Sequence, residues 1–180
     1  MASIIKSNTY ADFNGREILT ANNDGDLTTQ KVLTPFCEVF LTGNFDFAAN
    51  NTIEKVTFDT VRTDDSNIWD STNYRIKPNV PGHYFVFSAV SIAENNTNAL
   101  QLSVAYIYKN GSLGTNNYAQ PDYRTNKGKS TANTVNQTMY LNGTTDYVEI
   151  YALINSTGFT GSGNEKILNG GTFGLFRIGS

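Results

Sequence analysis

The chain has 180 residues, 39% of them hydrophobic and 16% charged, with a formal net charge of −3. That length suits a single all-β domain. With no cluster of Lys or Arg, the charge balance excludes the basic stripe of a nucleic-acid surface, and no apolar run approaches the roughly 18 residues of a membrane-spanning helix. The single cysteine, Cys37, excludes an internal disulfide framework. Set among Phe36, Val39 and Phe40, it reads as a buried, inert thiol. The opening, Met1 to Asn8, lacks the apolar region of a secretory signal peptide. Together these features lead us to expect maturation in a reducing cytosol.

Residues 1–34 are dominated by Asn, Asp, Thr and Gly, with isolated apolar points at Ile4, Ile5, Phe13, Ile18, Leu19, Leu27, Val32 and Leu33. No period of 3.6 or 2 persists there, and so little apolar surface does not fold alone. The segment reads as an extended N-terminal arm, residues 1–34, held by another subunit or protein, ahead of one domain over residues 35–180; packing on that domain's own surface is the alternative.

From Pro35 onward, strand patterns alternate with turn signals. Strands are expected at Phe36–Leu41, Val56–Val61, Ile68–Ile76, His83–Ala93 and Leu100–Tyr108. Asn110-Gly111 then supplies the positive φ of a tight hairpin. Residues 113–130 are polar and read as loop-rich. Further strands are expected at Thr131–Leu141, Tyr147–Ile154 and Thr172–Ile178, with a glycine-rich loop over Gly158–Gly171. No amphipathic helix is apparent. Many short strands at this spacing indicate an all-β sandwich or jelly roll.

Two of these strands are apolar on both sides. In the first, Tyr84, Val86, Ser88 and Val90 point one way, and His83, Phe85, Phe87 and Ala89 the other. In the second, Val148, Ile150, Ala152 and Ile154 make a core face, while Tyr147, Glu149, Tyr151 and Leu153 are too aromatic for a water-facing surface. Read as neighbours, the two strands imply burial against a partner subunit; a thick sandwich core is the alternative.

Four motifs carry a family resemblance. Gly82-His83-Tyr84-Phe85-Val86-Phe87-Ser88, Tyr108-Lys109-Asn110-Gly111, the run from Leu141-Asn142-Gly143 to Asp146-Tyr147-Val148, and Phe173-Gly174-Leu175-Phe176 resemble, in order, the signature strands of the C1q and tumour-necrosis-factor superfamily. Thr144 and Thr145 stand between Gly143 and Asp146, where that superfamily has Gly-Asp together. The resemblance implies a C1q/TNF-like jelly-roll sandwich forming a homotrimer, with Phe85 and Phe87 lining the threefold axis. Tyr147 and Tyr151 complete the expected trimer interface.

The arm, from Ser3-Ile4-Ile5-Lys6-Ser7 to Asn14-Gly15-Arg16-Glu17-Ile18-Leu19-Thr20, resembles the openings of bacteriophage fibre and decoration proteins, marine ones above all. That resemblance implies a virion structural protein, assembled in the host cytoplasm. Its arm would dock on a capsid or tail protein through Ile4, Ile5, Phe13, Ile18 and Leu19, with avidity from three copies.

The sequence offers little chemistry. No nucleophile is placed near the single histidine, His83. Asp59, Asp64, Asp65 and Asp70 lack calcium-loop spacing. One His and one Cys do not make a zinc site. Gly158 to Gly163 has glycines in phosphate-loop fashion but no helix follows it. The expectation is no enzyme, no metal and no cofactor. The alternative to a purely structural role is a recognition tip that binds a host surface glycan or receptor, with Tyr118 and Tyr123 of an exposed stretch stacking on sugar rings.

Overall fold

The structure, a computed structural model, describes residues 9–11, 17–21, 27–29, 34–95, 99–123, 125, 127–161 and 163–179, with side chains from residue 34 on except 115–117. The chain divides into two compact units, Met1–Leu33 and Thr34–Ser180. In the first, β1 (Thr9–Ala11), β2 (Glu17–Ala21) and β3 (Leu27–Thr29) pair antiparallel in sequence order. Strands of three to five residues are too short to leave a periodic trace in the sequence.

The second unit carries β4 (Phe36–Phe40), β5 (Phe45–Asp46), β6 (Glu54–Lys55), β7 (Thr60–Asp64), β8 (Trp69–Asp70), β9 (Arg75–Ile76), β10 (Gly82–Glu94), β11 (Leu100–Lys109), β12 (Ser112–Ala119), β13 (Ser130–Leu141), β14 (Val148–Ser156), β15 (Glu165–Ile167) and β16 (Thr172–Gly179). No described residue is helical. One sheet runs β5-β15-β10-β16-β4-β7, with β13 along the other side of β10; the second runs β12-β11-β14-β9-β8, with β6 also on β14. Every pairing within the two sheets is antiparallel. The strand β13 bonds β10 over its whole length, from Ala93↔Ser130 to Gly82↔Leu141, and forms the edge of the first sheet.

The core lies between the sheets. β10 gives it Tyr84, Val86, Val90 and Ile92; β4 gives Cys37 and Val39; β11 gives Ala105 and Ile107; β14 gives Val148, Ile150, Ala152 and Ile154. Phe173 of β16 meets Phe58 and Trp69 with ring centroids 5.6 and 6.4 Å apart. Buried polar groups find partners: Tyr84 donates its hydroxyl to the Val80 carbonyl at 2.6 Å, and Ser88 to the Thr172 carbonyl at 2.8 Å. Asn133 of β13 joins the two sheets, accepting from the Ser103 hydroxyl and donating to the Ala119 carbonyl. Cys37 is fully buried, and loss of solvent, followed by the nearby Asp64 and Glu38 charges, pushes its thiol up to about 12.

Several strand expectations need correction. Val56 and Phe58 are buried, but the regular strand runs Thr60–Asp64 instead of Val56–Val61. Ile68–Ile76 is not one strand but the hairpin β8–β9, whose turn is held by Asp70 accepting from Asn73 and Arg75. Residues 113–130 are not loop throughout, because Ser112–Ala119 forms β12 and only 120–129 lies outside the strands. The loop over Gly158–Gly171 contains β15, and the short strands β5 and β6 went unread. Most consequential, β10 and β14 are not neighbours: they lie in different sheets and face each other across the core.

One corner ties two turns together. Asn110 and Gly111 form the two-residue hairpin turn with φ of 53° and 74°. Asn110 donates to Asp146 at 2.8 Å and accepts from the Tyr147 amide at 3.0 Å. Asp146 also takes the Lys109 ammonium at 2.9 Å and the Asn142 amide at 3.0 Å. The Thr144-Thr145 insertion is closed by Asn142, whose side-chain oxygen accepts from the amides of Thr144, Thr145 and Asp146. Burial opposes charge on Asp146, but these hydrogen bonds and the Lys109 charge outweigh it and hold the carboxyl below its ordinary value.

The corner can be tested at two of its residues. Gly143 has φ of 70°, and a Cβ there would collide with Val80 and Pro81. Gly143→Ala should lower stability by about 2 kcal/mol or more in urea denaturation, from left-handed strain plus the clash. Because the folded pKa of Asp146 lies below its unfolded value, its contribution is complete above about pH 4 and lost as pH falls through the folded value. Asp146→Asn should therefore lower the melting temperature at pH 6 and flatten its fall between about pH 4 and 2. An unchanged acid limb in that variant would show that Asp146 is not the group responsible.

Candidate functional site

The alternation of β10 and β14 leaves each sheet with an aromatic outer face. On the first sheet, register places Thr138, Phe85, Phe176 and Phe36 in one cross-strand row, with Asn136, Phe87, Gly174 and Glu38 in the next. Phe85 lies 5.4 Å from Phe176 and stacks at 6.3 Å on Phe87. The Phe87 ring occupies space that only glycine leaves free, since a Cβ on Gly174 would come within 2.5 Å of it. Around these rings Phe176, Tyr140 and Ile178 are 39%, 50% and 52% exposed. The His83 imidazole is exposed beside them and meets Tyr140 edge-on at 5.5 Å.

On the second sheet, Tyr118, Tyr106, Tyr151 and Lys55 form a row across β12, β11, β14 and β6. Tyr108 lies 6.2 Å from Tyr106 and 4.2 Å from Tyr151, and Tyr118 is 5.9 Å from Tyr106. Val104 and Leu153 pack in the same cluster. Glu149 pairs with Tyr108 in register and forms an ion pair with Lys55 through Oε1. Its other oxygen, Oε2, is buried with no hydrogen-bond partner. Burial raises the Tyr151 hydroxyl pKa, and the charges of Glu149, Tyr108 and Tyr147 add to it. Tyr106 is raised by burial and by Tyr108 and Tyr118.

The four residues expected at one trimer interface therefore do not form one surface. Phe85 and Phe87 lie on the outer face of the first sheet. Tyr151 lies on the opposite side of the sandwich, and Tyr147 sits at the end of that second sheet with the Arg75 guanidinium 4.4 Å over its ring. Of the two residues expected to contact glycan, Tyr118 is 45% exposed, on a strand and not in a loop. Tyr123 turns inward, packs on the core and donates its hydroxyl to Thr131. Of the arm positions, Ile4, Ile5 and Phe13 lie outside the described residues, and Ile18 and Leu19 fall on β2.

Of the aspartates considered for calcium, Asp59, Asp64 and Asp70 stabilise local backbone, Asp70 by accepting from the Asn73 amide. Asp59 accepts from the Thr42 amide and hydroxyl, and Asp64 from the amides of Ile68 and Trp69. No metal-ligating group of three or more carboxylate, His or Cys side chains occurs among the described residues. The tyrosine row was out of reach of sequence reasoning, because it exists only through cross-strand register.

No family model and no curated protein matches the chain. Solved structures do. The globular domain of zebrafish complement 1qA protein is 18% identical with a TM-score of 0.52, covering 81% of this chain and 97% of that one. Murine APRIL at pH 5.0 is 9% identical with a TM-score of 0.56, covering 81% and 99%. Eiger TNF from S. frugiperda is 11% identical with a TM-score of 0.52, covering 81% and 94%. At these identities the likeness is one of fold: the chain has the all-β, C1q/TNF-like jelly-roll sandwich.

Proposed function

We propose that this chain is a non-enzymatic virion structural protein: a homotrimeric capsid decoration or short fibre head, anchored by its N-terminal segment to a capsid or tail protein. The observation that carries the assembly half is the phenylalanine face of the first sheet. Phe36, Phe85, Phe87 and Phe176 share it with the exposed Ile178. A contiguous apolar patch of this kind marks a protein interface. The tyrosine face cannot close the same ring head to tail, since two faces pointing in opposite directions generate a stack of copies and not a closed trimer. The attachment half is supported by the likeness of residues 3–20 to phage fibre and decoration openings and by the separation of Met1–Leu33 as its own unit. The particle is then the site of action, after assembly in the host cytoplasm.

The trimer is tested by light scattering at micromolar concentration. The full chain should give the mass of three copies, with an interface on the order of 2,000 Å² or more. Phe87→Asp should abolish the trimer, because a carboxylate buried unpaired costs several kcal/mol. Tyr118→Asp, on the other face, should leave three chains. A folded wild-type monomer, or a trimer lost in both variants, would refute this geometry.

Attachment is tested separately. The anchoring side chains Ile4, Ile5, Phe13, Ile18 and Leu19 each contribute about 1.5–3 kcal/mol when buried, multiplied by avidity across three arms. Replacing Ile4, Ile5 and Phe13 with Ser should leave a folded trimer that no longer co-purifies with particles. Wild-type occupancy by that variant would mean that the head, not the arm, is the anchor.

A further inference from the structure

We infer that the contact between copies through the first sheet is released by acid, with His83 as the group that takes the proton, an inference that rests on the phenylalanine face being the assembly surface.

His83 is the only histidine in the chain, and it is exposed on that face. Alternation along β10 puts it on the same side as Phe85, Phe87 and Ala89. Register sets it between Tyr140 of β13 and Gly179 of β16, in the row next to Thr138, Phe85 and Phe176. Tyr140 and Ile178, on either side of it, are both exposed. A contact that covers this apolar patch therefore covers the imidazole as well. Apart from Tyr140 and His83, the outward side chains of β13 and β10 are alanine, serine, threonine, asparagine and phenylalanine. Histidine alone among these changes charge between about pH 5 and 8.

The charged groups around His83 offer its protonated form no partner. On the β13 side, the Lys109 ammonium donates to the Tyr140 carbonyl at 2.8 Å and pairs with Asp146 at 2.9 Å. On the β16 side, the Arg177 guanidinium donates to the Pro81 carbonyl at 3.1 Å. Glu38 of β4, the carboxylate on this face, lies two rows away and pairs with Arg62. Among the described residues, no carboxylate pairs with His83.

In a separated chain, water solvates an imidazolium at this position. Assembly removes that water. With Phe85 and Phe87 turned to the threefold axis, the copies of His83 follow one row on, so protonation brings like charges together out of water. The assembled state then binds fewer protons than separate chains do. The contact is at full strength above about pH 7.5 and weakens as pH falls through the histidine range toward about pH 5. Asp146 titrates outside that window, because its carboxyl is held below its ordinary value.

The test mixes isotope-labelled and unlabelled full chain at micromolar concentration and follows the exchange of chains by native mass spectrometry at about pH 7.5 and about pH 5. Circular dichroism monitors the fold. The wild type should be three chains at the higher pH and exchange at least about tenfold faster, or separate, at the lower one with its fold intact. His83→Gln, which takes no proton in this range, should exchange within about threefold of one rate at both. His83→Lys, charged throughout, should exchange fast at both. A wild-type exchange rate that ignores pH, or an equal acid response in His83→Gln, would overturn the inference and leave the trimer standing. A wild-type monomer at the higher pH would overturn the assembly reading, and acid release with it.

Discussion

The strict alternation of side chains along a strand governs this molecule. β10 and β14 are apolar on both sides, and each has only one side to give to the core between the sheets. Tyr84, Val86, Ile150 and Ala152 meet there; Phe85, Phe87 and Tyr151 are left outside by the same geometry. A one-residue slip of either strand would exchange these sets and destroy both surfaces together. Core stability and surface chemistry are therefore set by one register.

That register is held by devices at the sheet ends and between the sheets. The Asn110–Asp146–Asn142 corner ties the β11–β12 turn to the start of β14, so both strands enter the second sheet at fixed positions. Asn133 bonds groups on β11 and β12 from the opposite sheet and fixes how the layers lie on one another. Gly174 works at shorter range: by carrying no side chain it lets the Phe87 ring lie against the neighbouring strand, which keeps the phenylalanine face low in relief.

Long strands that fill the core were readable from the sequence; short or polar ones were hidden. β10, β11, β13 and β14 are long and have buried alternating positions, and their expected bounds lie within two residues of the observed ones. β12, Ser112–Ala119, consists largely of polar and small residues on a sheet edge, so nothing in its composition distinguishes it from a loop. Ile68–Ile76 has the apolar content of a strand, yet Ser71-Thr72-Asn73 is a turn inside it. The face on which an outward residue lands is a property of topology. Tyr151 and Phe87 have similar local patterns and end on opposite sides of the sandwich, while Tyr118 joins Tyr106 only because two strands pair.

The edge strand β13 brings a colloidal consequence. Its twelve residues, Ser130–Leu141, contain no charge and no proline, and the strand pairs with a single neighbour in its sheet. Natural edges are usually guarded by lysine, proline or a bulge against pairing with a foreign strand. Here the register with β10 is unbroken, and the one guard comes from another strand, the Lys109 ammonium donating to the Tyr140 carbonyl at 2.8 Å. An edge this long and this free of charge is where a foreign strand would add to the first sheet, and one lysine stands against it.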